Sequence, residues 1–305
     1  MRADPAPQPE GSMKPTTILG AAAAAAVLAA PASALADSAS LIAGPIKVKG
    51  YEVTLAAADG GASSDSLSVM ALKQSGKSMQ MHSWSFTTGV SVTVKGSKAT
   101  IKGSLGRYGS INATVNASRM AKGTVPAGCK GSAGTVRSGT LAGTTKLVLD
   151  TTFFKTVAPK SLKAQISRAG KLDCSGATGG AQRSGLLLTS SLDGGDGQLM
   201  LTVMKSGGTV SQQVMRSDAQ ASTAPASVMH IISAQTGAAG LDAAGDLSTA
   251  TAAGTAPFLA GTLSFAGESM GTMAMGTLSG DFAAKFDSIG TQTLPAGNDA
   301  MLMQH

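Results

Sequence analysis

Apolar and polar residues alternate in many short segments of the chain. In each segment the residues at i, i+2 and i+4 are apolar, which is the pattern of a half-buried β-strand. Clusters of Gly, Asp and Asn separate the segments every ten residues or so, a spacing typical of sandwiches and barrels. Within the first segment, residues 46–55, we expect a bulge at Gly50. The clearest alternating runs begin at Ile46, Tyr51, Val90, Ile111, Leu162, Leu199 and Leu263.

Similar segments recur in the same order along the chain, 131–137 residues apart. Several matches in register favour a duplicated domain over chance similarity in a low-complexity composition. The matched pairs are LSVMALKQSGKSMQ from Leu67 with LMLTVMKSGGTVSQ from Leu199, residues 106–109 with 237–240, and residues 139–150 with 276–287.

These patterns predict an all-β protein with two tandem antiparallel β-sandwich-like domains. Outside the N-terminus no segment shows a convincing 3.6-residue period, so helices are not expected. The predicted units are a signal peptide (1–36), a basic repeat (37–178), a Gly-rich linker (179–182), an acidic repeat (183–300) and a tail (301–305).

The N-terminus has the features of a secretory signal peptide. Residues 17–30 are an apolar run preceded by Lys14, too short to span a bilayer. An Ala-Leu-Ala cleavage site precedes Asp37, and Met13 is the expected natural start. We therefore expect a secreted protein, extracellular or associated with the cell envelope. No later run approaches ~18 apolar residues, so the mature chain is expected to lack a transmembrane helix.

Secretion makes the two cysteines informative. Cys129 and Cys174 are the only pair, and an oxidising compartment favours a disulfide between them. A disulfide between them closes a loop of about 46 residues, and in the chain-entropy model such a loop contributes roughly 4 kcal/mol to stability. Two free thiols are the alternative, and two cysteines alone are too few for a structural zinc site.

Charge is distributed unevenly between the two predicted repeats. Residues 37–180 contain 18 basic and 6 acidic side chains, whereas residues 181–305 contain 4 and 9. This asymmetry predicts an anionic partner for the basic repeat, such as a wall polymer, an acidic polysaccharide or a membrane surface. Attraction between the two halves is the alternative, and no nucleic-acid-binding motif is present. The representative contact residues are Lys73, Lys95, Lys102, Arg107 and Lys130.

Candidate catalytic groups are few. Charged residues make up 13% of the chain and only three histidines are present. A Ser-His-Asp site would have to use His82 or His230, which both lie in predicted strands. We expect a non-enzymatic protein, with a secreted carbohydrate-binding module or hydrolase as the alternative. Trp84 is a candidate platform for sugar rings, although a core anchor is the more common role of such a residue.

Methionines at M-x-M spacing offer a different chemistry. On a strand, residues i and i+2 share a face, so two thioethers could bind one Cu(I) ion. The alternative is that methionine fills the core in place of aromatic residues. The aspartates of residues 193–197 are a weak Ca²⁺ candidate and otherwise turn formers, and no other cofactor is expected. The metal candidates are Met79, Met81, His82, Met273 and Met275, and Met301 and Met303 repeat the spacing near the C-terminus.

Several segments resemble secreted β-rich proteins of high-GC Gram-positive bacteria. They are LIAGPIKVKGYEVTL, KGSLGRYGSIN and VPAGCKGSAGTVRSGTLAG with the later KLDC. The resemblance covers the first repeat best, and the second repeat lacks the cysteines. It implies secretion and a β fold, and no activity. The leading hypothesis is a non-enzymatic exported protein that associates with the cell envelope or with an anionic extracellular polymer.

Overall fold

The computed structural model describes residues 39–61, 64–122, 130–132, 134–149, 161–168, 170, 172–173, 185–194, 197–218, 226–294 and 296–304. Within these ranges the chain is built of β-strands, and the only helical elements are two three-residue 3₁₀ turns, Gly106–Tyr108 and Ala238–Gly240. The predicted all-β class is confirmed. The predicted signal peptide and the linker at 179–182 lie outside the described residues.

Among the described residues, eleven strands belong to the N-terminal half of the chain. They are β1 (Ala39–Val48), β2 (Tyr51–Asp59), β3 (Ser66–Ser75), β4 (Ser78–Phe86), β5 (Val90–Lys95), β6 (Lys98–Ser104), β7 (Gly109–Lys122), β8 (Lys130–Gly131), β9 (Thr135–Leu147), β10 (Ser161–Arg168) and β11 (Leu172–Asp173).

Eleven more strands belong to the C-terminal half. They are β12 (Gly185–Gly194), β13 (Gly197–Ser206), β14 (Thr209–Asp218), β15 (Ser227–Gly237), β16 (Leu241–Ala243), β17 (Thr249–Ala256), β18 (Leu259–Ser269), β19 (Met273–Gly280), β20 (Ala283–Phe286), β21 (Gly290–Thr293) and β22 (Asn298–Gln304).

The first alternating segment is two strands and not one bulged strand. Lys49 and Gly50 have φ values of +48° and +82°, and Val48 pairs with Tyr51 across them. Positive φ at both central residues defines a type I′ hairpin turn. The predicted bulge at Gly50 is therefore wrong. In the sequence a bulge and this turn look alike, because each shifts the alternation of apolar and polar residues by one position. The ladder between β1 and β2 is instead interrupted between Ala43 and Ile46.

Twenty strands form one continuous antiparallel sheet, whereas two separate sandwiches were expected. The order in the first half is β5-β6-β7-β9-β10-β1-β2-β3-β4, and β4 pairs with β15. The second half continues as β15-β14-β13-β12-β22-β19-β18, and β17 and β20 both pair with β18. Pairing of β4 with β15 satisfies backbone groups that two separate sheets would leave unpaired at their edges.

Each half of the sheet encloses its own hydrophobic core. One cluster of buried residues draws on β1–β7, β9 and β10, and the other draws on β12–β15 and the strands that follow. Strand β15 contributes to both clusters. Val228 packs against the first core and Ile232 belongs to the second, with the buried His230 between them. The boundary between the cores therefore lies in the middle of the β4–β15 pair.

The free edge of the first half is closed by side chains. The backbone N–H of Val92 donates to Asp65 Oδ2 at 2.7 Å, and that of Val94 donates to Asp59 Oδ2 at 3.0 Å. The guanidinium of Arg168 donates to the carbonyl of Val94 at 3.0 Å. The carboxylates of the β2–β3 connection thus take the place of a neighbouring strand along β5.

The similar sequence segments occupy similar places in the fold. Leu67–Gln80 spans most of the β3–β4 hairpin, and Leu199–Gln212 spans most of the β13–β14 hairpin. Both segments end on a glutamine, Gln80 or Gln212, that is fully buried. The second matched pair, 106–109 and 237–240, contains the two 3₁₀ turns.

The predicted tail is part of a strand as far as residue 304. Residues 301–304, predicted as a tail, belong to β22, which pairs with both β12 and β19. Alternation explains this, because Ala300 and Leu302 are buried whereas Met301 and Met303 point to the outer face. Cys129 and Cys174 lie outside the described residues, but their sequence neighbours Lys130 and Asp173 are direct partners in the β8–β11 ladder.

The carboxylates at the β5 edge give a first testable prediction. We expect the double variant Asp59→Ala, Asp65→Ala to lower the free energy of unfolding by about 2–4 kcal/mol, because hydrogen bonds to charged groups contribute about 1.5–3 kcal/mol each. Urea denaturation measures this. The matched control is Asp242→Ala, Asp299→Ala, which removes two exposed strand aspartates. Equal losses in the two double variants would show that β5 is held without the carboxylates.

Candidate functional site

The outer face of β5, β6, β7, β9 and β10 is a polar and basic surface. Inward positions on these strands, such as Val92, Ile101 and Val115, are buried in the first core. The alternate positions are turned to solvent, and five of them are exposed lysines. The basic face is defined by Lys95, Lys98, Lys102, Lys146 and Lys163.

The register of the strands fixes the arrangement of these lysines. Lys95 lies directly opposite Lys98, and the same row continues through Asn116 and Thr140 to Lys163. Two rows away, Lys102 lies opposite Asn112. Residues four apart on a strand are separated by about 13 Å. Hydroxyl and amide side chains fill the positions between the ammonium groups.

Carboxylates are absent from these strands. The five strands contain nine basic residues and no Asp or Glu. Like charges placed directly opposite each other, as in Lys95 and Lys98, repel each other and destabilise the pair. An anion above the face relieves that repulsion. An open groove of about 590 Å³ beside Lys102, bordered by Ser91, Asn112 and Thr144, adds hydrogen-bonding groups next to the charges.

Only two of the five predicted contact residues, Lys95 and Lys102, lie on the basic face. Lys73 forms an ion pair with Asp287 of the second half. Arg107 donates to the hydroxyl of Tyr108 at 2.8 Å and stacks 4.9 Å from its ring centroid. Lys130 is exposed but pairs with Asp173 in the separate β8–β11 ladder.

The predicted aromatic platform does not form at the predicted residue. Trp84 is 2% exposed and belongs to the first hydrophobic core, and Tyr51 is fully buried. Both side chains point to the inner face of the sheet because they occupy buried positions of β4 and β2. Neither ring offers a face to a sugar, so Trp84 acts as a core anchor.

A buried polar network lies where the two cores meet. His82 of β4 and His230 of β15 are direct cross-strand partners, with exposures of 0% and 2%. Their Nδ1 atoms are 2.7 Å apart. The Nδ1 atoms of both rings also lie 3.2 and 3.3 Å from Ser288 Oγ. The side chains of the two halves therefore meet in one hydrogen-bonded cluster.

The hydrogen bonds assign the protons on the imidazole rings. The backbone N–H of Asp287 donates to Gln80 Oε1 at 2.7 Å, so this atom is the amide oxygen. The Nε2 of His82 lies 3.0 Å from the same oxygen and must donate to it. In the neutral ring Nδ1 of His82 is then an acceptor. With both rings neutral, the contact between the two Nδ1 atoms then has His230 Nδ1–H as its donor and His82 Nδ1 as its acceptor.

A second branch of the network connects the cluster to the surface. The hydroxyl of Tyr51 donates to Asp287 Oδ2 at 3.0 Å and lies 3.3 Å from His82 Nε2. Burial acts to raise the pKa of Asp287, but the hydrogen bonds from Lys73 and Tyr51 and the charge of Lys73 outweigh it, so this pKa lies below its ordinary value. Burial and the nearby Asp287 carboxylate raise the pKa of Tyr51.

In this network a serine contacts a histidine, and that histidine lies near an aspartate, as in a catalytic triad. Both imidazole rings, however, are buried. Ser288 Oγ is 3.3 Å from His230 Nδ1, and His230 Nε2 is 3.8 Å from Asp218 Oδ2. A general base must reach the proton that it removes from a substrate-bound group. Both histidines are buried among core side chains. The geometry therefore supports a structural role: the hydrogen-bonded cluster connects the two halves, and we call it the polar pin (Gln80, His82, His230 and Ser288).

The predicted methionine site around His82 is split between the two faces of the sheet. Met79 and Met81 are half-buried on the outer face, whereas His82 points inward. Adjacent strand residues point to opposite faces, so these three side chains cannot share one ion. Met273 and Met275 also face outward, on β19. Of the Ca²⁺ candidate, Asp193 belongs to β12 and Asp196 lies outside the described residues.

Several residues of the two sites were not predicted from the sequence. Lys98, Lys146 and Lys163 carry a signal that is present in the sequence, because their strands contain lysine and no acidic residue. The meeting of His82 with His230 depends on the pairing of β4 with β15, and no local pattern predicts that pairing.

No protein-family model matches this chain, and no curated protein or solved structure is significantly similar to it. The resemblance to secreted β-rich proteins of high-GC Gram-positive bacteria stays a prediction. Within the described ranges no helix has the length and hydropathy needed to cross a membrane.

The Tyr51–Asp287–Lys73 contacts predict a pH dependence of stability. Because the folded-state pKa of Asp287 is lowered, its carboxylate stabilises the fold above pH ~4, and this contribution is lost as the pH falls through the folded-state value. We expect Asp287→Asn to be less stable than the wild type by about 1–3 kcal/mol at pH 7, with a difference that shrinks near pH 2.

Tyr51 gives the opposite dependence. Its raised pKa means that the neutral phenol stabilises the fold below pH ~10 and that this contribution is lost above it, a loss that Tyr51→Phe should abolish. Urea denaturation across the pH range measures both effects, with Asp242→Asn as the control. A penalty for Asp287→Asn that stays constant from pH 7 to 2 would assign the effect to packing and not to charge.

Proposed function

We propose that this protein is a secreted, non-enzymatic β protein that binds an anionic extracellular polymer through the basic face. The observation that carries the proposal is a group of five exposed lysines on four of five neighbouring strands, none of which contains an acidic residue. Secretion rests on the sequence of residues 1–36. The cell envelope is the proposed site of action because wall polymers and acidic polysaccharides are anionic.

The shape of the basic face favours a polymer over a small ion. The five ammonium groups lie on β5, β6, β9 and β10, within a run of five neighbouring strands that are about 4.8 Å apart, and two of them lie along β6. An extended chain can contact several of these lysines at once. Rows of Thr, Ser and Asn between them offer hydrogen bonds to sugar hydroxyls and phosphate oxygens.

The proposal predicts binding that depends on these lysines and on salt. We expect Lys95→Gln, Lys98→Gln, Lys102→Gln to weaken binding about a hundredfold at low salt, because a lysine beside an anionic surface contributes about 1 kcal/mol. Co-sedimentation of the full chain with purified cell envelope, and titration with polyphosphate, polyuronate and neutral dextran, measure this. Higher salt should weaken wild-type binding by screening exposed charges.

The matched control is Lys47→Gln, Lys77→Gln, Lys285→Gln, which removes the same charge from exposed lysines outside the basic face. This control should retain nearly all binding. Equal losses of binding in the two triple variants would show that binding depends on the net charge of the protein and not on the basic face. Absence of binding to every anionic probe at low salt would overturn the proposed function.

We further infer that Cys129 and Cys174 form a disulfide in the exported chain. Their neighbours Lys130 and Asp173 pair directly in the β8–β11 ladder, which supports this inference. Peptide mass mapping under non-reducing conditions should recover the two cysteines in one linked peptide. Reduction, or Cys129→Ser, should lower the free energy of unfolding by roughly 2–4 kcal/mol. Two alkylatable thiols in the native exported protein would contradict the assignment.

Tandem duplication is the origin that we propose for the two halves. The β3–β4 and β13–β14 hairpins support it, because they match in sequence and each has a fully buried glutamine on its second strand. The amide of Gln212 donates to the carbonyl of Ala253 at 2.6 Å, so each glutamine binds a backbone group of a strand or turn outside its own hairpin.

A further inference from the structure

Four methionines form a compact block on the outer face of β19 and β22. The two strands are antiparallel, and their register places Met273 directly opposite Met303 and Met275 directly opposite Met301. The residues between them, Ala274 and Leu302, are buried in the second core. All four methionines therefore project from the opposite, solvent-facing side of the same pair of strands.

The dimensions of the block suit a single small ion. Side chains directly opposite each other have Cβ atoms about 5 Å apart, and residues i and i+2 on one strand are about 7 Å apart. The flexible methionine side chain allows its sulfur to move toward the centre of such a rectangle. Met275 is 49% exposed, so the block is open to ions from solution.

We propose that Met273, Met275, Met301 and Met303 form a binding site for a soft monovalent cation, with Cu(I) as the physiological class. Thioether sulfur is a soft ligand that selects Cu(I) over hard cations such as Mg²⁺ and Ca²⁺. Glu268 of β18 lies directly opposite Met275 on the same outer face, and its carboxylate adds negative charge beside the thioethers. The site goes beyond polymer binding and does not depend on it.

Other groupings of potential ligands in the described part of the chain are poorer. No cluster of three or more His, Cys, Asp or Glu side chains there is placed to hold a metal ion. Met79 and Met81 face Ser233 and Ile231 across β15, so they have no methionine opposite them. Met200 and Met215 form one cross-strand pair, but the residue two positions along β13 from Met200 is Thr202. Among the described strands, only β19 and β22 combine both spacings.

The test uses the full chain with ¹³C-labelled methionine methyl groups. Ag(I) is titrated first, as a redox-inert soft cation that needs no reductant, and Cu(I) is then titrated under anaerobic conditions. We expect the methyl signals of the four methionines to shift together and to saturate at one ion per chain. Because the readout is at the methionines, a thiol that takes up metal elsewhere does not mimic the result.

Two matched variants decide whether the block is a site. Met275→Leu, Met301→Leu removes one cross-strand pair from it with a volume-conserving change that the fold tolerates. This variant should weaken binding by roughly tenfold or more. In metal sites, loss of a residue that only supports a ligand already lowers affinity by about this much, and here two ligands are lost. The control Met200→Leu, Met215→Leu removes an outer-face pair elsewhere and should leave the affinity unchanged.

Three results would overturn the proposal. The first is an absence of methionine shifts with either ion. The second is a shift of every methionine in proportion to its exposure, with Met120 and Met270 responding as strongly as the block, since these two are the most exposed methionines among the described residues. The third is equal affinity in the two double variants, with circular dichroism confirming that both are folded.

Discussion

The pairing of β4 with β15 is the contact that makes the two halves one structure. Each half has its own core, and the sheet continues from one to the other through this single ladder. At its centre the apolar side chains give way to His82 and His230, which require specific partners when buried. Apolar contacts tolerate sliding, whereas hydrogen bonds between two imidazoles, a glutamine and a serine fix one register. The polar pin thus defines which residues of the two strands are opposite each other.

A continuous sheet also gives the two halves a common outer side. Once the inner face of every strand is committed to a core, the alternate residues of the same strands must face solvent. In the first half those residues are lysine, threonine, serine and asparagine, and in the second half methionine is frequent among them. The two candidate binding surfaces are therefore consequences of one rule of strand geometry, applied to two different sets of outward residues.

Much of the strand content follows from the sequence, because period-two alternation is a local property. The segments around Val92, Ile111, Leu201 and Phe265 are strands, as predicted. The turn at Lys49–Gly50 differs from the expected bulge, since either feature shifts the alternation by one residue. Residues 301–304 form a strand and not a tail, since a terminal strand depends on distant neighbours. The candidate sites divide in the same way. Lys95 and Lys102 were identifiable from charge, whereas the opposition of Met275 and Met301 depends on a pairing across more than twenty residues.

The carboxylates that hold β5 have a further consequence for self-association of the protein. An exposed strand edge is a template onto which another chain can add, and open sheets are prone to polymerise in this way. Asp59 and Asp65 occupy the very amide groups of Val92 and Val94 that an incoming strand would use. They also bring negative charge to an edge that borders a basic surface. The two carboxylates thus withhold these amides from strand addition while leaving the outward side chains of β5 in solvent.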